Sequence, residues 1–161
     1  METVKVVLIG AGDMGRRIIE MIGGTNGIEL AGVVEKEAYP IAPGTERFFV
    51  SSLSDPVVEK IFQRADVVID VSGQEAFMAN AALVVGLEKP MVIGSTGLNE
   101  QDMSYLRRVS GCVPCVLAPD FSLGVPVGSR DPHALGAVLA ALWVAEQAPG
   151  LYGMQNVLGL K

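Results

Sequence analysis

The segment from Val4 to Gly15 constrains this chain more than any other. Val4 to Ile9 is dominated by branched apolar side chains, and it runs straight into Gly10-Ala11-Gly12-Asp13-Met14-Gly15. A run of that kind is expected of a strand buried on both faces of a parallel sheet. From Arg16 to Ile22 the pattern turns helical, with Ile18, Ile19 and Ile22 on one side. Glu29 to Val34 then reads as a second strand, which completes a beta-alpha-beta unit.

The alternation continues through the chain. Phe48 to Ser51 reads as a short strand, Pro56 to Phe62 as a helix, and Asp66 to Val71 as a strong central strand. A helix over about Glu75 to Val85, a strand at Met91 to Ile93, a helix over about Glu100 to Val109 and a strand at Val116 to Ala118 follow. Parallel neighbours need crossover connections, and these are helical here. The stretch from Glu35 to Arg47, with Pro40, Pro43 and Gly44, reads as an irregular loop. Asp131-Pro132 opens a last helix that runs to about Gln147 and is stopped by Pro149-Gly150, leaving an apolar tail, Leu151 to Lys161, packed down. The expected fold is α/β: a Rossmann-type, doubly wound, mostly parallel sheet, in a single domain over residues 1–161 with a C-terminal helix and a packed tail.

Placed between a buried strand and a helix, the glycine pattern acquires a chemical meaning. Gly10 permits the tight turn, Gly12 lets the backbone approach a diphosphate, and Gly15 lets helix and strand pack closely, while the helix start supplies N–H donors. Glu35 closes the second strand, where a carboxylate accepts hydrogen bonds from an adenosine ribose. The expected cofactor is therefore NAD or NADP, with NAD slightly favoured by Glu35. Lys36 beside it is either a partner for a 2'-phosphate or a solvated surface charge.

Bulk properties exclude several other classes. A formal charge of -6 leaves no basic surface for nucleic acid. The longest apolar run, Ala134 to Ala145, is too short to cross a bilayer, and the N-terminus carries no secretory pattern, so a cytoplasmic location is expected. Half the residues are hydrophobic and mean hydropathy is +0.41, which leaves homo-oligomerisation open. Cys112 and Cys115 alone build neither a disulfide framework nor a four-cysteine zinc site. Their spacing is that of a dithiol motif, but the pair leads into a strand rather than standing at a helix start, which favours core or strand-edge cysteines. No metal ligand set is expected.

Several further segments resemble, in order, the 4-hydroxy-tetrahydrodipicolinate (dihydrodipicolinate) reductase family of lysine and diaminopimelate biosynthesis. They are Ile69-Asp70-Val71-Ser72, Val92-Ile93-Gly94-Ser95-Thr96-Gly97-Leu98, and Ala118-Pro119-Asp120-Phe121-Ser122-Leu123-Gly124-Val125. The closing stretches Ser129-Arg130-Asp131, Ala141-Leu142-Trp143 and Pro149 to Leu160 resemble the family's last helix and tail. The resemblance implies cofactor contacts from Gly10, Ala11, Gly12, Asp13, Met14 and Gly15, from Glu35 and Lys36, and from Ser72. It also implies contacts from Gly94, Ser95 and Thr96, and from Ala118, Pro119, Asp120 and Phe121.

The resemblance also shows what this chain does not carry. Residues 1–125 and 129–161 resemble the two flanks of the family's nucleotide domain, joined directly at 126–128. The substrate and oligomerisation domain that the family places between them is missing, and with it the family's His-His pair, a nearby lysine and a Gly-Thr loop. The sole histidine, His133, lies at the start of the final helix. No catalytic residue is expected, and little or no reductase activity by the chain alone. A nucleotide-responsive partner-binding module, or a reductase completed by a separate substrate-binding chain, remains open. Asp13 stands near the place of a family arginine, Asp120 replaces an asparagine, and Gly73-Gln74 replaces a proline-containing pair; each substitution is expected to weaken nucleotide binding.

Overall fold

The computed structural model describes residues 2–35, 49–50, 54–119, 121, 123 and 131–160. Seven strands form a single sheet: β1 (Val4–Ile9), β2 (Ile28–Val34), β3 (Phe49–Val50), β4 (Val67–Asp70), β5 (Met91–Ile93), β6 (Pro114–Leu117) and β7 (Gly150–Tyr152). The helices are α1 (Asp13–Gly23), α2 (Pro56–Gln63), α3 (Gln74–Gly86), α4 (Glu100–Val109), α5 (Pro132–Val144) and α6 (Met154–Val157). Spatial order is β3-β2-β1-β4-β5-β6-β7. All six pairings are parallel.

Alternation along each strand divides the apolar side chains between two layers. Val6 and Leu8 of β1 face α1 and α5, joining Ile18, Ile19 and Ile22 with Ala137, Val138 and Ala141. Val7 and Ile9 face the other way, toward Val58 and Phe62 of α2, Phe77 and Val84 of α3 and Leu106 of α4. Each such side chain taken from water contributes roughly 1.5–3 kcal/mol. The two-sided burial explains why the central strands read as continuous apolar runs.

Short polar side chains start the helices at the expected places. Asp55 accepts from the Val57 N–H at 2.9 Å, and Asp131 from the N–H groups of His133 and Ala134 at 2.9 and 3.2 Å. Asn99 and Asp102 form a reciprocal capping box at the head of α4.

Several details differ from the sequence-based expectation: α1 begins at Asp13, three residues before Arg16, and β4 is one residue shorter at each end. β6 begins two residues earlier, at Pro114, and α5 ends at Val144, three residues before Gln147. The tail is more than packed: residues 150–152 add β7 beside β6, so the sheet is wholly parallel. β7 is pinned by an edge-to-face contact between Tyr152 and Trp143 of α5, with ring centroids 5.0 Å apart, and by the Tyr152 hydroxyl donating to the Ala148 carbonyl at 2.9 Å. Most of the expected 35–47 loop lies outside the described residues.

Candidate functional site

In a wholly parallel sheet every strand points its carboxyl end to the same edge, and register lines those ends up. Ile9 pairs with Val34 on one side and Asp70 on the other; Asp70 pairs with Ile93, and Ile93 with Leu117. The next residues continue the ladder: the Gly10 N–H donates to Val34 O, Val71 N–H to Ile9 O, Gly94 N–H to Asp70 O and Ala118 N–H to Ile93 O, all at 2.8–2.9 Å. Gly10, Glu35, Ser72, Gly94 and Ala118 are thereby drawn to one crest. The chain leaves β1 for β2 and β3 on one side and enters β4 on the other. That reversal opens a crevice at the carboxyl edge between β1 and β4, the place where doubly wound sheets bind ligands.

The glycine turn is shaped by close approach. Gly10 has φ +95, and a Cβ on it would lie 2.9 Å from the Ser72 backbone. A Cβ on Gly15 would stand 2.1 Å from the Gly10 carbonyl oxygen, so only glycine lets α1 sit this close to β1. Gly12 differs, because a Cβ there would meet nothing within 4 Å among the described residues. As N-cap of α1 it offers no side-chain cap, so open space lies in front of uncapped N–H groups at the positive end of an eleven-residue helix. A diphosphate needs that combination of space and donors.

Glu35 reaches the turn directly, its Oε2 accepting the Ala11 N–H at 2.6 Å. Its carboxylate therefore stands one turn residue from Gly12 and is fixed there by a charge-assisted bond. Asp13, the first residue of α1, is almost fully exposed, and its carboxylate lies 3.5 Å from Arg17. Arg17 offsets the negative charge that Asp13 brings to the turn. The same guanidinium donates to Asp131 at 2.7 Å, tying α1 to the start of α5. Burial pushes the Asp131 carboxyl up, but the Ala134 N–H, the Arg17 guanidinium and the His133 N–H together outweigh it and hold the group below its ordinary value.

On the other side of the crevice Asp70 ends β4, fully buried. Its Oδ1 accepts the Ser72 N–H at 2.9 Å and the Ser72 hydroxyl at 2.6 Å, and its Oδ2 accepts Asn80 Nδ2 at 3.1 Å. Asn80 also donates to Ser72 Oγ at 2.8 Å. Burial pushes the Asp70 carboxyl up, and the bonds from Ser72 and Asn80 partly counter it. Ser95 Oγ accepts the Gly73 N–H at 3.2 Å, while Gln74 donates to Asp102 of the capping box at 2.8 Å. The loops after β4 and β5 are thus latched together.

Several expected contact residues turn their side chains into the protein. Ala11, Ser95, Ala118 and Phe121 are buried, and Met14 packs against the α1–α5 core layer. Phe121 adopts φ +52, and its ring fills the place a Cβ on Gly94 would take, 2.2 Å away. Exposure of the whole residue is no more than 3% at Ala11, Ser95, Ala118 and Phe121, so their backbone is largely covered as well, and the Ala11 N–H is spent on Glu35. Gly12, Ser72, Thr96 and Pro119 are exposed at the crest. Lys36 and Asp120 lie outside the described residues. Asn80 and Asp102 are contributors that sequence reasoning passed over: a lone asparagine within an apolar helix was the signal at Asn80.

Cys115 is buried in β6 and donates to the Val113 carbonyl, whereas Cys112 is exposed. Burial, with a smaller contribution from Cys112, pushes the Cys115 thiol up to about 12. The strand-core expectation fits Cys115, and a reactive dithiol does not. Among the described residues no group of three His, Cys, Asp or Glu side chains could hold a metal ion, and no helix is long and apolar enough to cross a membrane.

Residues 4–121 match the family model described as dihydrodipicolinate reductase, N-terminus. A 4-hydroxy-tetrahydrodipicolinate reductase from Syntrophus aciditrophicus is 37% identical over 127 residues, covering 76% of this chain and 47% of that protein. The chain thus spans about half the length of that curated relative. A reductase of the same name from Syntrophobacter fumaroxidans is 33% identical over 261 positions, covering 94% of this chain and 97% of that protein. Because this chain has 161 residues, an internal block of that relative has no counterpart here. Among solved structures, dipicolinate-bound dihydrodipicolinate reductase from Paenisporosarcina sp. TG-14 superposes with a TM-score of 0.59 at 15% identity, covering 91% of this chain and 68% of that one. DAP dehydrogenase of C. glutamicum gives 0.52 at 17%, covering 73% and 36%. At such identities the two structures bear on the fold alone.

Proposed function

Since this chain belongs to the dihydrodipicolinate reductase family, we propose that it is the family's nicotinamide-dinucleotide domain with the two flanks of that domain joined through residues 126–128. The diphosphate is held by the N–H groups at the head of α1, in the open space before Gly12. That space, which a Cβ would occupy without touching any described residue, is the observation that carries the reading.

The other contacts follow from the crest. Glu35, fixed by its bond to Ala11, accepts from the adenosine ribose and disfavours a 2'-phosphate, which makes NAD the preferred dinucleotide over NADP. Met14 and Gly15 contribute backbone at the helix start. The nicotinamide half extends toward β4 and β5, where Ser72 and the backbone of Gly94, Ser95, Thr96, Ala118, Pro119 and Phe121 meet. A reduced nicotinamide bound there supplies a hydride. Using it requires an acceptor held within roughly 3–3.5 Å and cationic groups to offset a dianionic substrate. The described crest residues include no such cationic cluster, and an internal block of the Syntrophobacter relative has no counterpart here. The chain alone therefore binds dinucleotide without reducing dihydrodipicolinate.

Calorimetric titration with NADH and NADPH, followed by dihydrodipicolinate in the same cell, tests both halves. One site per chain, tighter for NADH, with no turnover is the expected result. Absence of heat with either nucleotide overturns the binding, and turnover at roughly 1–1000 per second overturns the lack of activity.

A further inference from the structure

Ser72 is exposed on the crest beside the glycine turn, yet its hydroxyl is already engaged by two buried neighbours. Asp70 Oδ1 accepts the Ser72 N–H at 2.9 Å and is the acceptor for the hydroxyl as well, so the Ser72 proton is committed to it at 2.6 Å. The Asn80 amide must turn its NH2 toward Asp70 Oδ2, which fixes its orientation, and its second hydrogen goes to Ser72 Oγ at 2.8 Å. A hydroxyl has one proton and two lone pairs. Here the proton and one lone pair are spent, and one lone pair is left.

We propose that Asp70 and Asn80 are positioning residues that hold the Ser72 hydroxyl as an acceptor-only group at the β4 side of the crevice, where it selects a ligand N–H or O–H donor. The inference rests on the dinucleotide reading and adds a chemical polarity to it. The nicotinamide half carries two such donors, the carboxamide NH2 and the ribose hydroxyls, while ADP carries neither at that end. Burial makes the arrangement rigid: Asp70 and Asn80 are 0% and 2% exposed, and each polar atom named has a partner. Asn80 is the seventh residue of α3, so helix packing rather than loop geometry sets its position.

The test compares NADH, its 3-acetylpyridine analogue and ADP by calorimetry on the wild type, Asn80→Leu and Ser72→Ala, with thermal melting of each. Both variants are expected to weaken NADH about five- to tenfold and to leave ADP within twofold, and the double variant to lose no more than either single one. If the carboxamide is the donor, the acetylpyridine analogue is insensitive to both substitutions; if the ribose is, the analogue weakens as NADH does. A merely structural role for Asn80 would weaken ADP equally, because the Ser72 backbone abuts Gly10, and that result overturns the proposal. So does Ser72→Ala binding NADH like the wild type, an outcome that leaves the dinucleotide reading standing; Ser72 is exposed, so this variant folds even if Asn80→Leu does not. A wild type that binds ADP and NADH equally overturns the donor selection, and one that binds neither overturns both.

Discussion

Replacing Gly12 with alanine separates binding from folding. Gly12 has φ -66 and ψ -162, extended backbone open to any residue, and its added Cβ would meet nothing within 4 Å among the described residues. Two small effects on stability oppose each other. Restricting the unfolded chain stabilises by about 0.4–1 kcal/mol, while alanine at an N-cap costs up to about 1 kcal/mol. The melting temperature should therefore stay within roughly 3 °C of the wild type. Binding behaves otherwise if the diphosphate takes the proposed place before Gly12, because N–H to phosphate contacts need about 2.9 Å between heavy atoms and an added methyl group would compete for that space. A loss of at least about tenfold in NADH affinity, near 1.4 kcal/mol, is expected. Gly15→Ala is the complement. Its Cβ would lie 2.1 Å from the Gly10 carbonyl, which forces overpacking worth roughly 1–3 kcal/mol and a fall of several degrees. Parallel melting and calorimetry read both variants. The reasoning fails if Gly12→Ala binds NADH within twofold of the wild type, or if it melts as low as Gly15→Ala.

Other consequences are open to direct measurement. Asp131→Ala removes the N-cap of α5 and the Arg17 partner together, so a loss of about 1 kcal/mol or somewhat more is expected in denaturant unfolding at pH 7. Because the folded-state pKa of Asp131 is lowered, its contribution is present above the unfolded value, near 3.8, and disappears as pH falls through the folded one; the gap between wild type and variant should close in acid, and a gap constant to pH 2 contradicts the assignment. Asp70 has the opposite sign: with its folded pKa raised, the stability linked to its protonation is full below pH 3.8 and is lost as pH rises through the folded value. Iodoacetamide at neutral pH should label Cys112 and spare Cys115 until the chain unfolds, as peptide mapping would show; equal labelling of both in the native state counts against a buried β6 thiol.

Much of this architecture could be read from residues in order. Met91–Ile93 and Glu100–Val109 have the expected bounds, because a short apolar run between turn signals and an Asn-led capping box are local events. The glycine turn and Glu35 were legible for the same reason, and their meeting was inferable from the beta-alpha-beta unit that joins them. β7 was not legible, since Gly150-Leu151-Tyr152 is too short to show a period and becomes a strand only because β6 offers an open edge. The Asp70–Ser72–Asn80 cluster was half legible. Asp70 and Ser72 stand in one motif, whereas Asn80 joins them through the turn of α3, a tertiary event that no spacing rule announces. Motif reading also could not separate backbone from side chain: Ser95 and Phe121 belong to the crest segments, yet the Ser95 hydroxyl caps Gly73 and the Phe121 ring lies against Gly94.

Crystals grown with NADH give the most direct test of the dinucleotide crest. The diphosphate should lie against the N–H groups at the head of α1 before Gly12, with the adenosine ribose on Glu35 and the nicotinamide half toward Ser72. Density for the nucleotide elsewhere on the protein, with the space before Gly12 empty at saturating NADH, would contradict it.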